Sequence, residues 1–194
     1  MLKKKEALKI QLEKNIDLFR CPICFSNCFL KNYSLLCTNN GHTFDLSNKG
    51  NVALCKTSKI KSNAIYDFNL FHNRRKFIEY GFYNNLHKTI KDIILNENKN
   101  KVILDMGSGE GTHDIFIGKN IDYDTIIGID LSKDAAILGG DFSNNKYIPI
   151  IGDLNNVPIK DKSIDIILNI LSPSNENEMD RILKKTWLGI KFLN

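Results

Sequence analysis

Apolar residues recur along this chain in different rhythms, and the changes of rhythm divide it. Residues 1–18 open on the lysine-rich stretch MLKKKEALKIQLEKN and predict a basic, solvated helix. Residues 19–56 hold only short apolar runs, broken by turn residues and cysteines. TSKIKSN (57–63) is polar and basic, and residues 57–68 are expected to form a linker. From residue 69 to residue 96, Phe77, Ile78, Phe82, Leu86, Ile90, Ile93 and Ile94 recur at three- and four-residue steps, the spacing of an apolar helix face. Gly81 interrupts that pattern and either divides two helices or bends one. After Lys101 the rhythm changes again. VILDM (102–106), TIIGID (125–130), YIPIIGD (147–153) and SIDIILNIL (163–171) are short apolar runs separated by helical patches. Buried strands alternating with helices predict an α/β fold, with a parallel, doubly wound Rossmann-like sheet over residues 69–194.

Composition narrows this picture only slightly. The 194 residues are 42% hydrophobic and 25% charged, ordinary for a globular protein. No apolar run reaches the roughly 18 residues of a membrane-spanning helix, and the N-terminus lacks the apolar core of a secretory signal. A cytoplasmic protein without a membrane partner is therefore expected. The net charge of +5 is compatible with a nucleic-acid partner but is weak evidence for one, because lysine and asparagine are abundant throughout.

The stretch LDMGSGEGTH (104–113) carries the first candidate chemistry. It follows a predicted strand and opens a helix, where a glycine loop can bind a ligand. Gly107, Gly109 and Gly111 leave room for close approach to the backbone. The spacing is not that of dinucleotide binders, and Asp105 and Glu110 suit a cationic ligand better than a pyrophosphate. Asp130 ends the second strand, where an acid accepts hydrogen bonds from ribose hydroxyls. Asp153 follows the third, suited to an adenine amino group. The alternative is that these acids only cap strands and helices. Taken together, the loop and three strand-end aspartates describe a site for S-adenosylmethionine, an adenosine with an amino-acid tail and a sulfonium charge.

The second constellation is CPICFSNCFLKNYSLLCTNNGH (21–42). Cys21 and Cys24 form one knuckle, and Cys37 and His42 supply a second pair. Two pairs of soft ligands on two turns suit tetrahedral Zn2+. Cysteines clustered in a chain without a secretion signal point to metal rather than disulfides. Buried free cysteines beside a surface histidine are the plainer alternative. Cys28 lies on the far side of the knuckle and is read as a structural or exposed thiol, and Cys55 as core.

These motifs, in this order, resemble the bacterial 23S ribosomal RNA (guanine-N1)-methyltransferases with an N-terminal zinc module. The resemblance is carried by CPIC, SLLC and GHTFDLSNKGNVAL, where Phe44, Asp45, Lys49, Gly50, Val52 and Leu54 match the family pattern. It continues through NRRKFIEYGFY (73–83), matching Arg74, Arg75, Phe77, Gly81 and Tyr83, then LDMGSGEG and VPIKDKSIDIILNILSP (157–173). It implies a zinc module over residues 19–56, a linker over 57–68 and an S-adenosylmethionine-dependent methyltransferase domain over 69–194. The cofactor contacts it implies are Tyr83, Asp105, Gly107, Gly109, Glu110, Gly111, His113, Asp114, Asp130, Asp153 and Leu154. The implied reaction is methyl transfer to N1 of a guanine in a ribosomal RNA hairpin, with the zinc module holding the RNA. Arg74 and Arg75 are expected either to meet phosphates or to form a solvated helix face.

The chain departs from the family at its end. RILKKTWLGIKFLN (181–194) is expected to contribute a fifth strand, with Lys185 and Thr186 where the family has a proline–glycine turn, and without the family's closing antiparallel pair. A truncated product, a fragment completed by another polypeptide, and a zinc- and cofactor-binding protein without turnover are the alternatives that this departure raises. No residue is assigned as the catalytic base, and the resemblance leaves homodimerisation open.

Overall fold

The computed structural model describes residues 2–56, 58, 67–96, 101–119 and 121–192. Most of the expected linker, all but Ser58, Asp67 and Phe68, lies outside them. The chain opens with α1 (Lys4–Asn15), followed by a single 3-10 turn at residues 16–18. Three short strands, β1 (Cys28–Lys31), β2 (Ser34–Cys37) and β3 (Thr43–Asp45), form an antiparallel meander. The two-residue strand β4 (Val52–Ala53) follows, then α2 (Phe68–Glu79) and α3 (Asn84–Leu95). Gly81, at φ +90°, separates these two helices, since a side chain there would meet the Asn84 amide. Asp67 caps α2 by accepting from the Leu70 N–H.

The four expected strands are β5 (Val102–Met106), β6 (Thr125–Asp130), β7 (Tyr147–Ile151) and β8 (Ile164–Ile170). Helices α4 (Thr112–Gly118), α5 (Lys133–Gly139) and α6 (Glu176–Ile182) lie among them, and β9 (Leu183–Phe192) runs parallel to β8. The sheet order is β4-β7-β6-β5-β8-β9, and every pairing in it is parallel. The order reverses beside β5, so the carboxyl ends of β5 and β6 open the crevice where such sheets bind ligands. Among the described residues no helix is long and apolar enough to cross a membrane.

The cysteine module is not an appendage. Its strand β4 joins the edge of the large sheet, with Val52 beside Ile150 and Ala53 beside Ile151. One continuous core holds Leu8 and Leu12 of α1, Cys21, Leu35, Cys37, Phe44 and Leu46 of the module, and Leu104, Ile127, Ile148 and Ile167 of the sheet. The expected linker therefore does not separate two cores. A second apolar layer, with Ile90 and Ile94 of α3 and Ile117 of α4, covers Ile103, Ile126 and Ile166 on other positions of the same strands. Strands covered on both faces need the continuous apolar runs that the sequence carries.

The seam between module and sheet is backbone against backbone. A Cβ at Gly140 would lie 1.8 Å from the Lys49 carbonyl oxygen, and one at Gly50 would lie 2.9 Å from Lys4 Cβ. Neither neighbour is a flexible side-chain tip. Gly140→Ala is therefore expected to destabilise the protein by about 3 kcal/mol or more, at the upper end of overpacking costs. A denaturant melt of the zinc-loaded protein, with the parent alongside, checks this.

Candidate active site and metal centre

Strand β5 delivers Asp105 into the protein interior, 1% exposed, and the chain then turns through Gly107, Gly109 and Gly111, all at positive φ. The loop needs glycine for space as well as for conformation. A Cβ at Gly107 would collide with Ser172 Oγ, and one at Gly111 would lie 2.5 Å from the Tyr147 hydroxyl. Gly128, within β6, makes room for the same hydroxyl. An isolated glycine in a strand is the sequence signal for such an approach, but the partner, Tyr147, was not legible.

Several of the expected residues meet at or beside this loop, and Asp153 lies farther along the sheet edge, near Cys55. Glu110 is fully buried within the loop, and His113 and Asp114 are buried in the first turn of α4. Asp130 Oδ2 accepts from the Gly109 N–H at 2.9 Å, and its Oδ1 from the Ser132 N–H at 2.8 Å, so the end of β6 holds the loop in place. Asp153 lies two residues past β7, and its Oδ1 accepts from the Asn155 N–H at 2.9 Å. Leu154 Cδ1 lies 3.9 Å from where a Gly107 Cβ would be. Tyr83, preceding α3, sets its ring edge-on to His113 with centroids 4.8 Å apart. Behind it, His87 and His113 share a 2.8 Å hydrogen bond between Nε2 and Nδ1. Burial and nearby cations hold both rings neutral, His87 down to about 4 and His113 to about 3.

The electrostatics are acidic. Burial pushes Asp105 up to about 7 and Asp114, with Asp105 beside it, well above the ordinary range. The two carboxyls face each other, with the Tyr147 hydroxyl beside Asp114, so at most a shared proton and that hydroxyl serve them within the protein. Buried carboxylates with so few donors are costly, and a cation seated at the loop would relieve them.

Both arginines of NRRKF turn inward, to internal partners rather than to a wholly solvated face. Arg74 Nε lies 3.4 Å from Glu110 Oε2, and its guanidinium covers Gly109, 2.8 Å from the site of a Cβ. Arg75 pairs with Asp141 at 2.7 Å, donates to the Leu138 carbonyl and covers the Phe142 ring. These pairs could not be read from sequence because α2 reaches the loop only in three dimensions. Asp161 and Asp165 do not enter the cleft. Asp161 pairs with Arg181 at 2.7 Å, and Asp165 holds the Val102 N–H and Lys184.

The metal centre collects the four expected donors. The ligand atoms of Cys21, Cys24, Cys37 and His42 lie within 4.8 Å of one another, with Cys24 Sγ 3.2 Å from Cys37 Sγ and Cys21 Sγ 3.5 Å from His42 Nδ1. Tetrahedral Zn–S bonds of 2.3 Å set ligand sulfurs about 3.8 Å apart, so the set fits zinc. The Ser26 hydroxyl and the amides of Asn40 and Asn39 favour a thiolate at Cys37, holding it down to about 5. Cys28 stands outside the set, and burial pushes its thiol up to about 12. The centre also touches the cleft's walls. Asn156 Nδ2 donates to the Pro22 carbonyl at 2.7 Å, and Arg20 bonds Val157 and Pro158, so the knuckle braces the loop that begins at Asp153.

The parallel sheet, the glycine loop and the strand-end carboxylates define a Rossmann-like methyltransferase. A family model described as a methyltransferase domain matches residues 104–187. A solved structure from Methanococcus maripaludis, provisionally described as an S-adenosyl-L-methionine-dependent methyltransferase, shares the fold with a TM-score of 0.57 at 23% identity, covering 68% of this chain and 65% of that one. The Bacillus subtilis (strain 168) protein YxjB, provisionally named a 23S rRNA (guanine-N(1)-)-methyltransferase, is 36% identical over 192 residues, covering 94% of this chain and 67% of the relative. The 23S rRNA (guanine(748)-N(1))-methyltransferase of Streptomyces fradiae is 23% identical, covering 89% and 62%. The chain belongs to the 23S rRNA (guanine-N1)-methyltransferase family, and it spans about two thirds of the length of these curated relatives.

Two outcomes follow from the geometry. Cys21→Ser, or chelation of the parent, is expected to release the metal, lower the melting temperature of the whole domain, and weaken S-adenosylmethionine binding through the 153–158 loop. Metal analysis, melting and calorimetry on one preparation check this. The second concerns pH. Asp105, pushed up to about 7 by burial, contributes stability that is fully present below about pH 4 and is lost as pH rises through 7, and Asp114 is shifted in the same direction. Asp114→Asn is expected to match the parent near pH 4 and to exceed its stability increasingly as pH rises toward 8, measured by denaturant melts without ligand.

Proposed function

We propose that this chain holds Zn2+ at Cys21, Cys24, Cys37 and His42, binds S-adenosylmethionine at the glycine loop, and methylates N1 of a guanine in a hairpin of 23S ribosomal RNA. The observation that carries the reading is the buried acidic glycine loop, with Asp105, Glu110 and Asp114 gathered at the carboxyl ends of β5 and β6. Asp105 and Glu110 suit the cofactor's cationic groups, and Arg74, already over Gly109, suits its carboxylate. Asp130 retains lone pairs for ribose hydroxyls, with Asp153 and Leu154 toward the adenine. His113 and Asp114 complete the wall beneath, and Tyr83 closes it from the α2–α3 turn.

Bound there, the sulfonium supplies an electrophilic methyl group. The protein's part is alignment, because an in-line displacement gains mainly from holding the attacking nitrogen in position. The N1 proton must leave as the new bond forms, and a hydrogen-bond acceptor near the loop assists this. Strand β8 and the turn after it bring two polar side chains toward the loop. Asn169 donates to the Met106 carbonyl at 2.6 Å and leaves its Oδ1 without a donor, and Ser172 stands against Gly107. The zinc knuckle braces the loop that begins at Asp153, and the substrate class follows the activity named for the Streptomyces fradiae relative.

Purified protein with labelled S-adenosylmethionine and a ribosomal RNA hairpin is expected to transfer label to guanine N1, and Asp130→Ala to weaken cofactor binding by about tenfold or more through loss of charge-assisted hydrogen bonds. Cofactor binding by calorimetry without any transfer would instead make the chain a binding module.

A further inference from the structure

A line of aromatic rings runs from solvent to the glycine loop. Helix α2 buries Phe71 and Ile78 and half-buries Arg74 and Arg75, yet leaves Phe77 46% exposed at its end. The turn that follows exposes Tyr80 by 82% and Phe82 by 66%. Phe77 and Phe82 stack with centroids 3.7 Å apart and planes within 7°. Phe77 then meets Tyr83 edge-on at 6.2 Å, and Tyr83 meets His113 at 4.8 Å, at the first turn of α4. Burying these rings would be favourable, and leaving three of them at the surface beside a cleft marks an interaction site.

We infer that Phe77, Tyr80 and Phe82 form a stacking platform for unpaired RNA bases, leading the target base toward the methyl donor. Several observations select this occupant over an apolar protein surface. The strip is aromatic rather than aliphatic, and flat π faces accept any base. Its ring contacts continue through Tyr83 to His113, so the strip adjoins the residues that wall the cofactor loop. On the same two helices the exposed Lys76 and Lys88 can meet phosphates, beside the exposed acids Glu79 and Asp92. A base needing chemistry at N1 must also leave its pairing partner, and unpaired bases are held by stacking on aromatic side chains. Gly81, at φ +90°, places Tyr80 and Phe82 on one tight turn.

This inference rests on the reading that the site methylates RNA, but its test does not need turnover. The probe is an RNA hairpin with 2-aminopurine next to an unpaired guanine in its loop, whose fluorescence falls when the base stacks. Zinc-loaded parent protein is expected to quench the probe and to bind it, and Phe82→Ala and Tyr80→Ala to lose about 10- to 100-fold in affinity. Phe82→Trp is expected to retain affinity while Phe82→Leu does not, which separates stacking from hydrophobic bulk. Calorimetry with S-adenosylmethionine should give the parent's affinity in every variant, showing that the cleft is intact. If parent protein quenches the probe with this aromatic requirement but transfers no methyl, the platform stands and the methyltransferase reading falls. If the parent methylates while both alanine variants keep its RNA affinity and kcat/KM, the platform falls. It falls equally if the parent fails to quench the probe, or if the alanine variants change only self-association in sedimentation.

Discussion

A parallel sheet needs both faces covered, and this one meets that constraint in an unusual way. Helices α3 and α4 cover one apolar layer. The other is covered by α1 and a three-stranded cysteine module whose own core is too small to stand alone. Cys21 and Cys37 are buried members of that shared core, so the same side chains that meet at the metal centre also seal the sheet. Module and sheet are thus mutually dependent. The module lacks a core without the sheet, and Ile127, Ile148 and Ile150 would face water without the module.

That dependence reaches the site. The loop from Asp153 to Pro158 is held from below by the end of β7 and from the side by Arg20 and Pro22 of the knuckle. Asp153 and Leu154 begin this loop. A metal centre that only stabilised a peripheral domain could be lost without effect on ligand binding. Here the metal's neighbours are also the neighbours of the cleft.

The cleft itself stores unfavourable electrostatics. Asp105, Glu110 and Asp114 are buried close together, and Arg74 offsets only part of their charge. Protonation relieves the remainder in the absence of a ligand, and a bound cation would relieve it at neutral pH. Such a site gives up some stability of the empty protein in return for affinity, a common pattern where charged groups are pre-arranged for a ligand. The neutral, hydrogen-bonded pair His87–His113 backs this acidic pocket without adding charge to it.

Much of this was legible in the chain alone, for local reasons. Strands β5 to β8 were readable because a strand buried on both faces needs an unbroken apolar run; Gly81 marked a break or a bend, and only its left-handed backbone decided for two helices. The gathering of Cys21, Cys24, Cys37 and His42 was legible by spacing, and the meeting of Asp105 and Asp130 at the glycine loop by their places at strand ends. Partners distant in sequence were not. The seating of Arg74 on Glu110, of Tyr147 beneath Gly111 and Gly128, and of the module on the sheet through β4 depends on packing between elements whose contact leaves no periodic signal. Composition and pattern determine which elements form and which chemistry they carry. Tertiary structure alone decides which faces meet, and therefore which charges are buried together and which aromatic rings remain in water.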